Sequence, residues 1–276
     1  MVHKTRRNRT ILLAAFAFAD LLYHSVVREV RTSSGNASLG LLLAIAQSMI
    51  MLGIFALMYT VLGLKSLAIR GDFVIFLLTG IFLFLTHNKA IQSVMKAAAP
   101  TSAMMMHAPM NTFISFLSVA LSGLYLQLLS ILIILFAVHV LRGGLEFYNP
   151  AGLFFPFFMA WASGIGIGMI FLVLKPFAPK FVPMLSMMYR RANMITSGKM
   201  MPANYMTAGM VSWFDWNPLF HVIDQARGAA FVNYVPLRSN MEYPVYFALT
   251  TILIGLMVES WLRKNMSQSW GKRSLL

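Results

Sequence analysis

Residues 112–141 read TFISFLSVALSGLYLQLLSILIILFAVHVL, a long run containing no Asp, Glu, Lys or Arg. A helix needs roughly 20 mainly apolar residues to cross the hydrocarbon core of a bilayer. This run exceeds that and can span with tilt. Four further runs qualify: 39–62, 73–94, 151–174 and 244–261. The second of these is clean to Thr86 and then mixed through His87, Asn88 and Lys89. Composition agrees with an apolar solvent. Of 276 residues, 59% are hydrophobic and 11% charged, with a mean hydropathy of +0.72, whereas soluble domains carry roughly 25% charged residues. The chain is predicted to be an all-α membrane protein.

The stretch between the fourth and last of these runs is harder to read. Residues 178–197 are mostly apolar but contain Arg190 and Arg191. Taken as a further span, they give six transmembrane helices. Residues 198–227 are only semi-apolar and are broken by Gly198, Pro202, Gly209 and Pro218. Short helices that dip into the outer leaflet and return fit that pattern, which predicts a re-entrant segment before the last span. Irregular backbone persists in a membrane only where protein or a water-filled cavity satisfies it, so this segment is expected to line something. Six spans place both termini on one side, and most Lys and Arg residues fall on that side, which marks it as cytoplasmic. No internal repeat or low-complexity linker divides the chain, so residues 1–276 read as one membrane domain.

The N-terminus is basic and then turns apolar, as a signal peptide does. However, Asp20, His24, Arg28 and Arg31 recur at helical spacing and form one polar stripe. A cleavable signal core carries no such stripe. Residues 10–31 are therefore predicted to be an amphipathic helix lying in the cytoplasmic headgroup region.

Several functions are excluded or disfavoured. Without cysteine there is no disulfide, thiolate site or cysteine nucleophile. The six histidines show no metal-ligand spacing, and no nucleophile–base pair is visible, so neither a metal site nor catalytic residues are expected. A phosphate-binding glycine loop is missing, so ATP is not bound by that route. The net charge of +14 flanks apolar runs and forms no continuous basic face, which argues for membrane orientation and against nucleic acid. The acidic residues avoid the clean centres of the spans, which disfavours an ion-coupled secondary transporter. Ala160, Gly164 and Gly168, four apart, form a small-residue stripe suited to close helix packing.

The tract from Trp213 to Arg227 is the most informative. Asn217 before Pro218 is a good helix start, and His221, Asp224 and Arg227 then recur every three residues. By itself this reads as a capped interfacial helix with an aromatic anchor. It also resembles the Asn-Pro-Leu-x-His-x-x-(Glu)-x-x-Arg signature of the type-2 ABC transporter permeases that export capsular polysaccharide and O-antigen. Arg28-Glu29-Val30-Arg31-Thr32 resembles the segment ahead of that family's first span. Phe76-Leu77-Leu78-Thr79-Gly80 is similar to the opening of its second. Ser197-Gly198 and Pro202 match residues that bracket the start of its re-entrant segment. Asp224 departs from the usual Glu, and Lys199-Met200-Met201 from the usual apolar-aromatic residues.

The resemblance implies an inner-membrane, multi-pass permease that moves polysaccharide of capsular type. It implies a homodimer, a separate ABC ATPase chain carrying ATP and Mg, no cofactor on this chain, and possible periplasmic export partners besides membrane lipid. Arg28, Glu29, Arg31, Lys89 and Lys96 would contact the ATPase, with a coupling helix in 89–109. Arg190, Arg191, Tyr205, Trp213, Trp216 and Phe220 would line the substrate path. Ser197, Gly198, Asn217, Pro218, His221, Asp224 and Arg227 would form the re-entrant motif. Because this fold is shared, O-antigen, teichoic acid, a lipid or a drug remain alternative substrates.

Overall fold

A computed structural model describes residues 2–32, 36–63, 71–97 and 112–273. These residues are helical without strands: α1 (Val2–Thr32), α2 (Ala37–Val61), α3 (Phe73–Lys96), α4 (Thr112–Arg142), α5 (Phe154–Leu174), α6 (Phe181–Thr196), α7 (Ala208–Val211), α8 (Pro218–Ala230) and α9 (Glu242–Arg273). Five segments are long and apolar enough to cross a membrane, and they coincide with the five runs read from hydrophobicity. The sixth predicted span corresponds to α6, whose 16 residues extend for only ~24 Å at 1.5 Å per residue. The N-terminal helix begins at Val2, well before the predicted residue 10. Most of the predicted coupling helix lies outside the described residues.

α3 is the hub. Its span is 89% buried, against 17% for α2. It packs against α2, α4, α5 and α8, while α5 in turn packs against α9. At the start of α3 the Asp72 carboxylate accepts from the Val74 N–H at 2.8 Å, and Arg142 from the end of α4 donates to both its oxygens at 2.6 Å. The cap and the ion pair together fix one end of the α3–α4 pair.

The small-residue stripe seats α5 on α3. A Cβ on Gly164 would lie 2.5 Å from the His87 carbonyl oxygen and 2.8 Å from Ala90 Cβ, and one on Gly168 would lie 2.9 Å from Val94 Cβ. Gly166, two residues on and so on the opposite side of the helix, meets Thr251 of α9. The close approach is within one chain. It also brings His87 into polar contact: its Nδ1 lies 3.1 Å from the Ala160 carbonyl and 3.0 Å from Ser163 Oγ. The carbonyl can only accept, so Nδ1 carries the proton and Nε2 is left facing the Tyr189 hydroxyl of α6 at 3.5 Å. This buried network ties α3, α5 and α6 where lipid offers no hydrogen-bond partner.

Gly164→Ala is expected to cost about 1–3 kcal/mol, because a backbone carbonyl blocks the added methyl. Gly53→Ala, with open space around it, should be neutral or stabilising. Thermal unfolding of the two variants in one detergent compares them directly.

Candidate functional site

After α6 the chain turns inward at Ser197 and Gly198. Gly198 has φ +67, and a Cβ there would lie 2.7 Å from the Phe220 ring. Left-handed backbone and the approaching ring both call for glycine. The loop then lies against Gly80 of α3, where a Cβ would be 3.1 Å from the Lys199 carbonyl oxygen. Such a loop exposes carbonyls that no helix satisfies. Arg227 of α8 satisfies them, donating to the carbonyls of Gly198 at 2.8 Å, Lys199 at 2.6 Å and Met201 at 3.2 Å. Its guanidinium carbon stands 4.2 Å from the centroid of the Phe76 ring on α3. Arg227 is fully buried. Burial pulls it down to about 10, so it remains charged at neutral pH.

The other polar residues of this tract fasten different segments. Asn217 caps α8, accepting from the Leu219 N–H at 3.0 Å, and donates to Asn193 and Thr196 at the end of α6, both at 2.8 Å. His221 donates through Nε2 to the Asp215 carbonyl at 2.7 Å and accepts through Nδ1 from the Asn240 N–H at 3.2 Å. Both ring nitrogens are satisfied by the neutral imidazole, and burial lowers its pKa in the same sense. Asp224 accepts from Ser239 Oγ at 2.7 Å, from the Tyr234 hydroxyl, and from the Ala203 N–H at 3.4 Å. Burial, together with the Asp224 carboxylate, raises the Tyr234 pKa, which keeps that hydroxyl a donor.

These contacts revise the reading of α8 as an interfacial helix. The helix start at Asn217-Pro218 is as expected, but most of α8 is buried. Leu219, Val222, Ile223 and Ala226 share a core cluster with Phe76, Leu77, Ile81 and Met159. The three charged or imidazole side chains point inward because each meets a backbone or side-chain partner there. Sequence spacing shows their common helix but not the carbonyls brought back by a loop from residues 198–206. The tract is a staple that gathers α6, the inward loop and residues 231–240 onto α3 and α5.

The residues expected along the substrate path separate. Tyr205, Trp213 and Trp216 are exposed. The Trp216 indole N–H donates to the Trp213 carbonyl at 2.8 Å, and the Tyr243 hydroxyl donates to the Trp216 carbonyl at 2.5 Å. On α6, Arg191 is exposed and Arg190 is half-buried. Phe220 is buried against Ala203 and Met206, beside the Phe214 ring, and presents no face to a path in this state. Of the expected ATPase contacts, Arg28, Glu29 and Arg31 lie in the last turns of α1, and Lys89 and Lys96 in the last turns of α3.

Lys199 was not among the expected site residues. It is 3% exposed, with Nζ 3.3 Å from the Phe84 ring centroid and 5.0 Å from that of Phe55. Among the described residues Nζ has no hydrogen-bond partner. Cation–π contact returns up to roughly 2 kcal/mol, less than the several kcal/mol that burying an ion costs. Burial accordingly lowers Lys199 to about 7. The available sequence signal was a lone cation between the breakers Gly198 and Pro202. A separate apolar cavity of about 260 Å³, among α3, α4 and α5, is lined by residues such as Leu78, Phe82, Ile131 and Phe157 and has no charged lining group.

No family model matches the chain. The chain is similar to two polysialic acid transport proteins of Escherichia coli named KpsM. One is 26% identical over 235 residues, covering 83% of this chain and 88% of the relative; the other is 25% identical over 236 residues with the same coverage.

Two outcomes are expected here. Arg227→Ala leaves three carbonyls unpaired and should cost about 3–5 kcal/mol, with Arg227→Lys recovering only part because an ammonium cannot fork. The Lys199 pKa is about 7 when folded and 10.5 in the ordinary case. Between those values only the unfolded chain holds the proton, so folding stability rises with pH across that window. Lys199→Met should lack this rise, as pH-dependent denaturation of both proteins in detergent can show.

Proposed function

We propose that this chain, a member of the type-2 ABC transporter permeases of the polysaccharide-export branch, is the membrane-spanning subunit of an ATP-driven polysaccharide exporter. The observation that carries the reading is the tract Asn217–Arg227. Of the residues that resemble the family signature, Arg227 and Asp224 hold the inward loop, while Asn217 and His221 fasten α6, Asp215 and Asn240 around the same helix. Similarity to polysialic acid transport proteins along most of the chain supports the same reading.

In the full topology α6 crosses the membrane as a short sixth span, completed by the residues flanking it. Residues 198–227 form the re-entrant segment at the outer side. Both termini are cytoplasmic, and the whole of 1–276 works as one domain in the inner membrane. α1 lies along the cytoplasmic headgroups, where Arg28, Glu29 and Arg31, with Lys89 and Lys96 at the end of α3, meet a separate ATPase that carries ATP and Mg. Two copies pair around the conduit, and periplasmic proteins receive the glycan.

The chain's own part is mechanical. Closure of the ATPases does work only if it favours one of two membrane arrangements over the other. α3 is the element suited to carry that bias, because its cytoplasmic end holds Lys96 and its other end lies beneath the loop held by Arg227. Arg190 and Arg191 provide positive charge beside the outer segment, and Trp213, Trp216 and Tyr205 provide aromatic faces for sugar rings. Phe220 contributes to the path only if the loop rearranges.

Deleting the gene should leave polysaccharide trapped in the cytoplasm, seen by fractionation and glycan staining; unchanged surface glycan overturns the assignment. The purified chain should bring down an ATPase, and Arg28→Glu or Glu29→Lys should abolish that recovery while the chain still inserts. Recovery at the wild-type level removes α1 from the docking surface.

A further inference from the structure

We propose that Lys199 is a concealed counter-charge for oxyanion groups, carboxylate or phosphate, on the transported glycan, covered by α2 in this state and uncovered when α2 parts from α3. The inference rests on the exporter reading and adds to it the charge class of the cargo.

The environment of Lys199 differs from that of its charged neighbours. Arg227 has three carbonyl acceptors, and Asp224 has three donors. Lys199 has two aromatic rings and, among the described residues, no acceptor. Among the described residues no carboxylate bonds to its Nζ. Arg227 bonds its carbonyl and is itself a cation, and the Tyr59 hydroxyl of α2 donates to the Met200 carbonyl. Packing does not explain a lysine here. Methionine, which follows at 200 and 201, has a similar unbranched length and no charge to desolvate. A cation kept at this cost is suited to a partner that is not permanently present.

The cover is light. α2 is fully buried only along one row, Gly40, Ala44, Ser48, Phe55 and Tyr59, flanked by half-buried residues such as Ile45, Leu52 and Ala56, and its other face is exposed. Phe55 in that row stands over the ammonium, and Tyr59, one turn further, makes the hydrogen bond to Met200. Displacing α2 outward gives up the Met200 hydrogen bond and the ring contacts of Tyr59 with Phe73 and Phe76, and it lifts Phe55 off the ammonium. In the opened site water or an oxyanion favours the charged amine, since desolvation is what disfavours it. A neutral sugar offers no such return.

The test uses the purified full chain in nanodiscs of phosphatidylcholine, with oligogalacturonate as the acidic probe and a maltooligosaccharide of equal length as the neutral one. Wild-type protein should bind oligogalacturonate. Lys199→Met should weaken that binding at least tenfold, leave the neutral probe unaffected, and melt no lower than wild type. Phe55→Ala, which removes the cover, should strengthen acidic binding several-fold because the competent state is more populated. Wild-type-like binding by Lys199→Met, a lower melting temperature for it, or no oligogalacturonate binding by the wild type overturns the proposal. So does a Lys199-dependent stabilisation given by phosphatidylglycerol and not by oligogalacturonate, which would assign the oxyanion to a lipid headgroup. The exporter reading is decided separately by the gene deletion: trapped glycan with an inert Lys199→Met retains that reading and removes only this inference.

Discussion

The guanidinium of Arg227 holds the 197–240 region of this protein together. A loop pressed against a buried helix must have its backbone carbonyls satisfied, and the apolar side chains around it cannot do so. Three of those carbonyls, from Gly198, Lys199 and Met201, converge on one side chain whose planar fork suits several acceptors at once. The Phe76 ring closes the remaining face. Given that anchor, Gly198 must take its left-handed turn, Phe220 must fill the space beside it, and α8 must lie buried rather than on a surface. Asn217, His221 and Asp224 extend the same logic to α6 and to residues 231–240.

How much of this was legible follows from what hydrophobicity measures. Five spans are visible because lipid and protein interior both demand apolar residues. For the same reason their ranking is invisible: a helix surface facing lipid is as apolar as one facing another helix. Hence α2 and α3 both read simply as spans, while one is mostly exposed and the other is the hub. The distinguishing signal lay in the polar residues of α3. Thr79, Thr86, His87 and Asn88 are all buried, and such groups in a span need protein partners. The glycines of α5 carried a matching signal, since residues 164 and 168 fit directly beneath His87, Ala90 and Val94.

The candidate site was legible as a set of residues but not as an arrangement. The tract 217–227 can be picked out from its spacing and from the resemblance, yet spacing alone places its polar face at the membrane interface. That is the default for a helix of mixed polarity, and it fails here because the acceptors come from a segment about twenty-five residues earlier. Phe220 is buried by the same arrangement. Lys199 stands out in the sequence only as a departure from a pattern, although a cation at that point is itself informative.

Lys199 and Arg227 sit on either side of one short stretch of backbone and present opposite solutions to burying a cation. Both terminal nitrogens of Arg227 are held by carbonyls, so its role is fixed in every state that keeps the loop. Lys199 is satisfied by no hydrogen bond among the described residues, so its energy depends on whether α2 is seated. That difference couples the charge state of the amine to the position of the least buried span. Anything that lifts α2 favours protonation, and anything that supplies an anion to Nζ favours the lifted state, since the two effects are linked reciprocally. A loop held rigidly by one cation can thus present a second cation as a sensor without losing its own shape.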